Sequence, residues 1–147
     1  MRRNGFTLVE LMVVITLMAL LAGAVMLSFG DLRGGAAEVA GPFAARLAAA
    51  RDEAIVSGAP VSGWITASGY GFERYRGGRW EPLTDKPFAG ANWNSGTRVV
   101  VVSNSAARAR VRFDNLGLPD APLNVRLERN GRSSNVMVVA NGDVNVE

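Results

Sequence analysis

No charged residue interrupts the stretch Leu11–Gly30, which reads LMVVITLMALLAGAVMLSFG. At about 1.5 Å of rise per residue, a helix of that length is about 30 Å long, the thickness of a bilayer's hydrocarbon core. The segment is therefore a membrane span or a targeting signal. Arg2 and Arg3 precede it, and the positive-inside tendency then keeps the N-terminus in the cytoplasm and sends the rest of the chain across. The whole chain has 147 residues, enough for one modest domain beyond that membrane and too few for two independent cores.

An ordinary cleaved signal has a candidate cleavage site at Ala22, Gly23 and Ala24. Against it, the apolar run exceeds the roughly 7–15 residues usual for such signals, and Glu10 stands at its front, where a charge serves no targeting purpose. A plain uncleaved anchor explains the length and leaves the glutamate unexplained. A carboxyl near a bilayer costs on the order of a few kcal/mol unless it is paired, so it needs a partner.

The residues Arg2 to Glu10, RRNGFTLVE, followed by a long apolar helix, closely resemble the class III signal of type IV pilins and type II secretion pseudopilins. The resemblance implies that a prepilin peptidase cuts after Gly5, removing Met1 to Gly5, and methylates the new N-terminal Phe6. The chemistry of these positions is consistent with that. Glycine lacks a side chain, so the backbone at Gly5 can be drawn into a protease cleft close to the membrane surface. Cleavage removes both arginines and exposes an amine on Phe6, largely cationic at neutral pH given its reference pKa of about 7.7–8.0. That cation lies one helical turn from Glu10. In an apolar setting, the amine of one subunit and the Glu10 carboxylate of another satisfy each other, and losing either strands the second charge. Glu10 is thus expected to set the register of stacked helices.

Beyond Gly30, DLRGGAAEVAGP is weak helix, because Gly34, Gly35, Gly41 and Pro42 lower propensity or remove a donor. Bending or local melting is expected there. From Phe43 the pattern recovers: Phe43, Leu47, Ala50 and Ala54 fall within about a 60° arc while Asp52 points away. This predicts an amphipathic helix whose narrow, alanine-rich stripe packs closely on a sheet, closed by Ser57 and Gly58 before Pro60.

From Val61 onward, turn signals recur every eight to twelve residues or so, which predicts a mostly β domain. Candidate strands are Val61–Thr66, Gly71–Arg76, Arg79–Leu83, Arg98–Ser103, Ala109–Phe113, Leu123–Arg129, Asn135–Ala140 and Val144–Val146. Gly77-Gly78, Asn130-Gly131 and Asn141-Gly142 supply the positive φ of tight hairpins. The segment Thr84–Gly96 has no clear period and reads as a loop. Its Phe88 and Trp93 either fold back into the core, the preferred reading, or form a partner-binding edge.

Composition excludes much chemistry. There is no cysteine and no histidine, so disulfides, thiol nucleophiles and imidazole acids, bases and ligands are absent. The single lysine, Lys86, precedes a proline, and Asp52 and Glu53 diverge by about 100° on a helix. Asp114, Asp120 and Asp143 are scattered among turns without calcium-loop spacing. No catalytic residue, metal or cofactor is expected. The formal charge is only +3, yet Arg108, Arg110 and Arg112 alternate and so could line one strand face, with Arg126, Arg129 and Arg132 near a hairpin. They either hold nucleic acid or form a solvated face balanced by Asp114, Glu128 and filament neighbours, the latter being preferred. Glu73 and Arg74 call for no special role.

The stretch ARDEAIVSGAPVSGW followed by GYGFERYRGGRWEPL, from Ala50 to Leu83, with a weaker echo in VRFDNLGLP, resembles the H-type minor pseudopilins of type II secretion and the related T-type minor pilins. The resemblance implies an α+β, pilin-like fold. A leader at 1–5 precedes a transmembrane assembly helix at 6–30 and its amphipathic continuation at 31–58, and these pack on a β-rich, sandwich-like head at 59–147. It further implies a structural subunit rather than an enzyme, anchored once in the inner membrane of a Gram-negative bacterium with a periplasmic head. The implied partners are other major and minor pseudopilins in a periplasmic filament, the prepilin peptidase and the inner-membrane secretion platform. Nucleic acid is a partner only under the T-type alternative, in which the protein serves pilus assembly and DNA uptake. An unrelated single-span protein with an accidental signature is the remaining alternative.

Overall fold

The computed structural model of the chain describes residues 8–30, 35–103 and 108–147, without the side chains of 25–30. It divides into two compact units, Met1–Arg33 and Gly34–Glu147.

The first unit holds α1 (Leu8–Gly30), 23 residues and so roughly 34 Å long. Its described side chains, from Leu8 to Ala24, are all exposed, and all are apolar except Glu10 in the first turn and Thr16, whose hydroxyl donates to the Met12 carbonyl. A helix apolar on every side has no stripe to bury against a single sheet and requires an apolar surrounding on all faces. Among the described residues no helix is long and apolar enough to cross a membrane. The side chains of 25–30, which complete the expected span, lie outside the description.

The second unit opens with α2 (Ala36–Ser57), whose buried residues are Ala36, Val39, Ala40, Phe43, Ala44, Leu47, Ala50 and Ala54. The alanine-rich stripe is as expected, but the helix starts a full two turns earlier than the recovery at Phe43 suggests. It is unbroken through Gly41 and Pro42, so the local melting expected there does not occur at those two residues. Pro42 itself is exposed, while Val39, Ala40, Phe43 and Ala44 around it are buried, so packing offsets the lost backbone hydrogen bond. Gly58 closes the helix at φ 62°, with its N–H on the Ile55 carbonyl, a left-handed cap that glycine adopts without steric cost.

Two antiparallel sheets follow. One has the order β3-β2-β1-β6, built from β1 (Val61–Thr66), β2 (Gly69–Arg76), β3 (Arg79–Leu83) and β6 (Arg108–Phe113), and β4 (Ala91–Asn92) also pairs with β2. The other has the order β5-β7-β8-β9, from β5 (Arg98–Val101), β7 (Leu123–Arg129), β8 (Arg132–Val138) and β9 (Val144–Val146). Hairpins β2–β3, β7–β8 and β8–β9 turn at the three expected glycine-containing pairs, with positive φ at Gly77, Gly78, Asn130, Gly131 and Gly142. The two-residue β4 has no period to betray it, and β8 begins three residues earlier than Asn135 because its polar start, Arg132 to Ser134, pairs along β7.

The helix α2 lies across both sheets, touching β1 and β6 of one and β7, β8 and β9 of the other. Period-two alternation puts Val61 and Ile65 of β1, Tyr70 and Phe72 of β2, and Ala109, Val111 and Phe113 of β6 on the helix side. Val125, Leu127, Val136 and Val138 do the same in the second sheet. Leu47 of α2 sits directly over Gly63, where an added Cβ would come within 3.1 Å of its Cδ2. The glycine is what lets helix and strand approach.

Phe88 and Trp93 fold back onto this core. Trp93 packs edge-on against Phe43 at 5.1 Å between ring centroids and lies 4.7 Å from Tyr70. Its indole N–H donates to the Thr66 carbonyl at 2.9 Å, which satisfies the one polar group that burial would otherwise strand.

Candidate assembly and binding surfaces

The first candidate site is the start of α1. Gly5 and Phe6, the expected cleavage and methylation positions, lie outside the described residues, as do Arg2 and Arg3. Glu10 is described: it stands exposed in the first helical turn, among the exposed Leu8, Val9 and Leu11. The first turn is where a carboxylate is favoured by the unsatisfied N–H groups and the helix dipole.

The second is the outward face of the sheet β3-β2-β1-β6. Arg108, Arg110 and Arg112 project from β6 away from the core, as their alternation predicts, while Ala109, Val111 and Phe113 are buried. Pairing places Thr66, Trp64 and Ser62 of β1 opposite these three arginines, and Glu73 of β2 opposite Ser62. The charge balance differs from the expected one: neither Asp114 nor Glu128 neutralises the stripe. Glu73 does, with Oε1 at 3.3 Å from Arg108 and Oε2 at 3.2 Å from Arg110. The second contact is an ion pair without hydrogen-bond geometry. Arg112 faces Asp120 at 4.0 Å, and Arg74 on the other side of β2 pairs with Glu53 of α2 at 3.0 Å. Asp114 instead accepts the backbone N–H groups of Leu116 and Leu118. Thus Glu73, which looked unremarkable in the sequence, holds two of the three arginines. The signal that could have found it is register: the sequence shows alternation within a strand but not which strands are neighbours.

Aromatic rings interleave with these charges. The Arg108 guanidinium lies 4.7 Å from the Trp64 ring centroid, a cation–π contact. Trp64 lies over Gly71, where an added Cβ would fall 2.5 Å from the indole. Tyr75 and Trp80 pair across β2 and β3 at 5.3 Å and open a groove of about 480 Å³ that Pro60, Arg112, Leu118 and Pro119 help to line. Sequence reasoning missed this groove, since its walls come from three separate parts of the chain.

On the core side, Arg46 of α2 donates to the Tyr70 hydroxyl at 2.7 Å. Burial pushes that hydroxyl above its ordinary 10.0, with the Arg46 charge and hydrogen bond opposing the shift. Among the described residues no group of three or more acidic side chains converges as a metal-holding set. Chemically, these surfaces offer paired charges, exposed rings and an apolar helix, all suited to holding other molecules.

Comparison with known proteins gives a consistent result. The family described as Type II transport protein GspH matches residues 40–143, and the prokaryotic N-terminal methylation motif matches residues 1–26. No curated protein matches in sequence. Among solved structures, the chain is similar to the minor pseudopilin EpsH of the Vibrio cholerae type 2 secretion system, with a TM-score of 0.65 and 19% identity over 76% of this chain and 95% of that one. A second EpsH structure gives 0.63 and 18%, over 76% and 92%. The type IV minor pilin FimU of Pseudomonas aeruginosa gives 0.60 and 16%, over 76% and 87%. At such identities the structural likeness establishes the fold: the helix α2 packed on an antiparallel, pilin-like head.

Proposed function

Because this chain belongs to the Type II transport protein GspH family, it is a minor pseudopilin, a structural subunit and not an enzyme, and we propose how it enters and serves the filament. The unprocessed protein is held in the inner membrane by α1, with its head in the periplasm. A prepilin peptidase cuts between Gly5 and Phe6 and methylates the Phe6 amine, and the processed subunit joins other pseudopilins on the inner-membrane secretion platform. The match of the methylation motif to residues 1–26 supports this reading, and so do the exposed large apolar side chains that α1 carries from Leu8 to Leu21.

Within the filament, the exposed surface of α1 is covered by neighbouring helices, and Glu10 pairs with the Phe6 amine of an adjacent subunit to fix the axial register. Among apolar helices, a carboxylate and an amine brought together stabilise each other. The single observation that carries the proposal is this carboxylate in the first turn of an otherwise apolar helix. The head then makes side contacts that help export folded proteins across the outer membrane.

The test is a clean deletion strain, in which exoprotein is assayed in medium and periplasm alongside uptake of labelled DNA. Cargo trapped in the periplasm with normal DNA uptake is expected. Normal secretion with lost uptake would instead assign the chain to the minor-pilin branch. For the register, Glu10→Ala should lower incorporation into sheared filaments at least tenfold, and normal incorporation would remove Glu10 from that role.

A further inference from the structure

The strongest unassigned feature is a polar basin of about 450 Å³ on the outward side of the sheet β5-β7-β8-β9. Arg98 of β5 and Arg126 of β7 stand in it, together with Glu128, Arg129 and the turn at Asn130-Gly131. Arg129 is already paired, with Glu38 of α2 at 3.3 Å. Arg98 and Arg126 are both exposed, and neither side chain makes an ion pair or hydrogen bond with a described residue. Their positions are fixed by the ladder: Arg98 is opposite Glu128 and Val100 is opposite Arg126. The two arginines are therefore diagonal neighbours on one face, roughly 7 Å apart at the backbone. Because β5 ends its sheet among the described residues, no further described strand walls the basin on that side.

We propose that this basin binds an extended, acidic segment of a partner protein, whose carboxylates seat on Arg98 and Arg126. Three observations favour that occupant. In an extended chain, side chains on one face recur about every 6.6–6.8 Å, which matches the diagonal spacing of the two guanidinium stems. Each guanidinium offers a planar fork that donates two parallel hydrogen bonds to a carboxylate. Glu128 lies in the same basin, where it can accept a backbone N–H from a polypeptide, and no aromatic ring stands among the described residues that line the basin, so a nucleic-acid base finds nothing there to stack on. The other arginine stripe, on β6, does not extend the basin into a track for nucleic acid, since Glu73 and Asp120 hold its charges. The proposal stands on this local chemistry and is separate from the register role of Glu10.

The experiment uses the full chain in detergent micelles and fluorescence anisotropy. The probes are a labelled peptide of alternating glutamate and serine, the same composition with its glutamates contiguous, and a single-stranded oligonucleotide of equal charge. The alternating peptide should bind saturably and most tightly of the three. Arg98→Ser and Arg126→Ser should each weaken it about tenfold, Arg126→Lys should weaken it less, and Arg108→Ser on the other sheet should leave it unchanged. Tighter binding of the oligonucleotide through the same arginines would overturn the proposal in favour of nucleic acid. So would absence of saturable binding, or an equal loss with Arg108→Ser. Thermal melts of each variant check the fold, and both positions are solvent-exposed, so unchanged melting is expected.

Discussion

Tyr70 shows how one side chain can serve two environments. Its ring lies 4.7 Å from Phe43 and 4.7 Å from Trp93, inside the core, while its hydroxyl takes a hydrogen bond from Arg46. Burial raises its folded pKa above the ordinary 10.0. Between the unfolded and folded values the folded chain keeps a proton that the unfolded chain has lost, so its contribution is intact below about pH 10 and falls as pH rises through the folded value. Melting from pH 8 to 11 should therefore show a steeper loss for the natural chain than for Tyr70→Phe, and parallel curves would refute this. Gly71 is a second case: with Trp64 so close, Gly71→Ala should cost about 1–3 kcal/mol through overpacking and shift tryptophan fluorescence as the indole is displaced. An unchanged spectrum and melt would place Trp64 elsewhere. The glycine was visible in the sequence only as the first residue of a candidate strand, because the ring that needs it comes from another strand.

At the level of elements, α2 is where local propensity and packing disagree. Gly41 and Pro42 both oppose a helix, yet the buried run from Val39 to Ala54 includes Phe43 and Leu47, each essentially without solvent exposure. Burying a side chain of that size is worth roughly 1.5–3 kcal/mol, comparable to the roughly 3 kcal/mol that an interior proline costs. Pro42→Ala should accordingly raise the unfolding free energy, by up to about 3 kcal/mol in denaturant titration, without loss of secretion. Leu47→Ala should lower it by about 2–5 kcal/mol, since the space above Gly63 cannot refill. The strands were easier to read than the helix start, because their alternation and turn glycines are local signals. The two-residue β4 carries neither and became visible only through its pairing with Gly69 and Tyr70.

For the molecule as a whole, the division at Gly34 has a thermodynamic meaning. Every buried hydrophobic residue among those described lies within Gly34–Glu147, and α1 contributes none. A chain beginning at Gly34 should therefore fold cooperatively in water with β-rich circular dichroism, and a molten or aggregated product would show that α1 contributes to the core. Conversely, what α1 lacks is a covering for its exposed Leu, Val, Ile and Met side chains. A membrane and then a filament supply it in the proposed function.

The sequence by itself determined the class of this protein. An uncharged Leu11–Gly30, the signature RRNGFTLVE and an alternating, turn-punctuated remainder are local patterns, and hydrophobic period and residue spacing suffice to read them. Tertiary structure alone decided the surfaces. Glu73 meets Arg108 and Arg110, Trp64 covers Gly71, and Arg98 stands diagonal to Arg126. Each of these contacts depends on which strands are neighbours and in what register. A shift of one residue would send every one of those side chains to the opposite face, and no single strand's sequence records that choice.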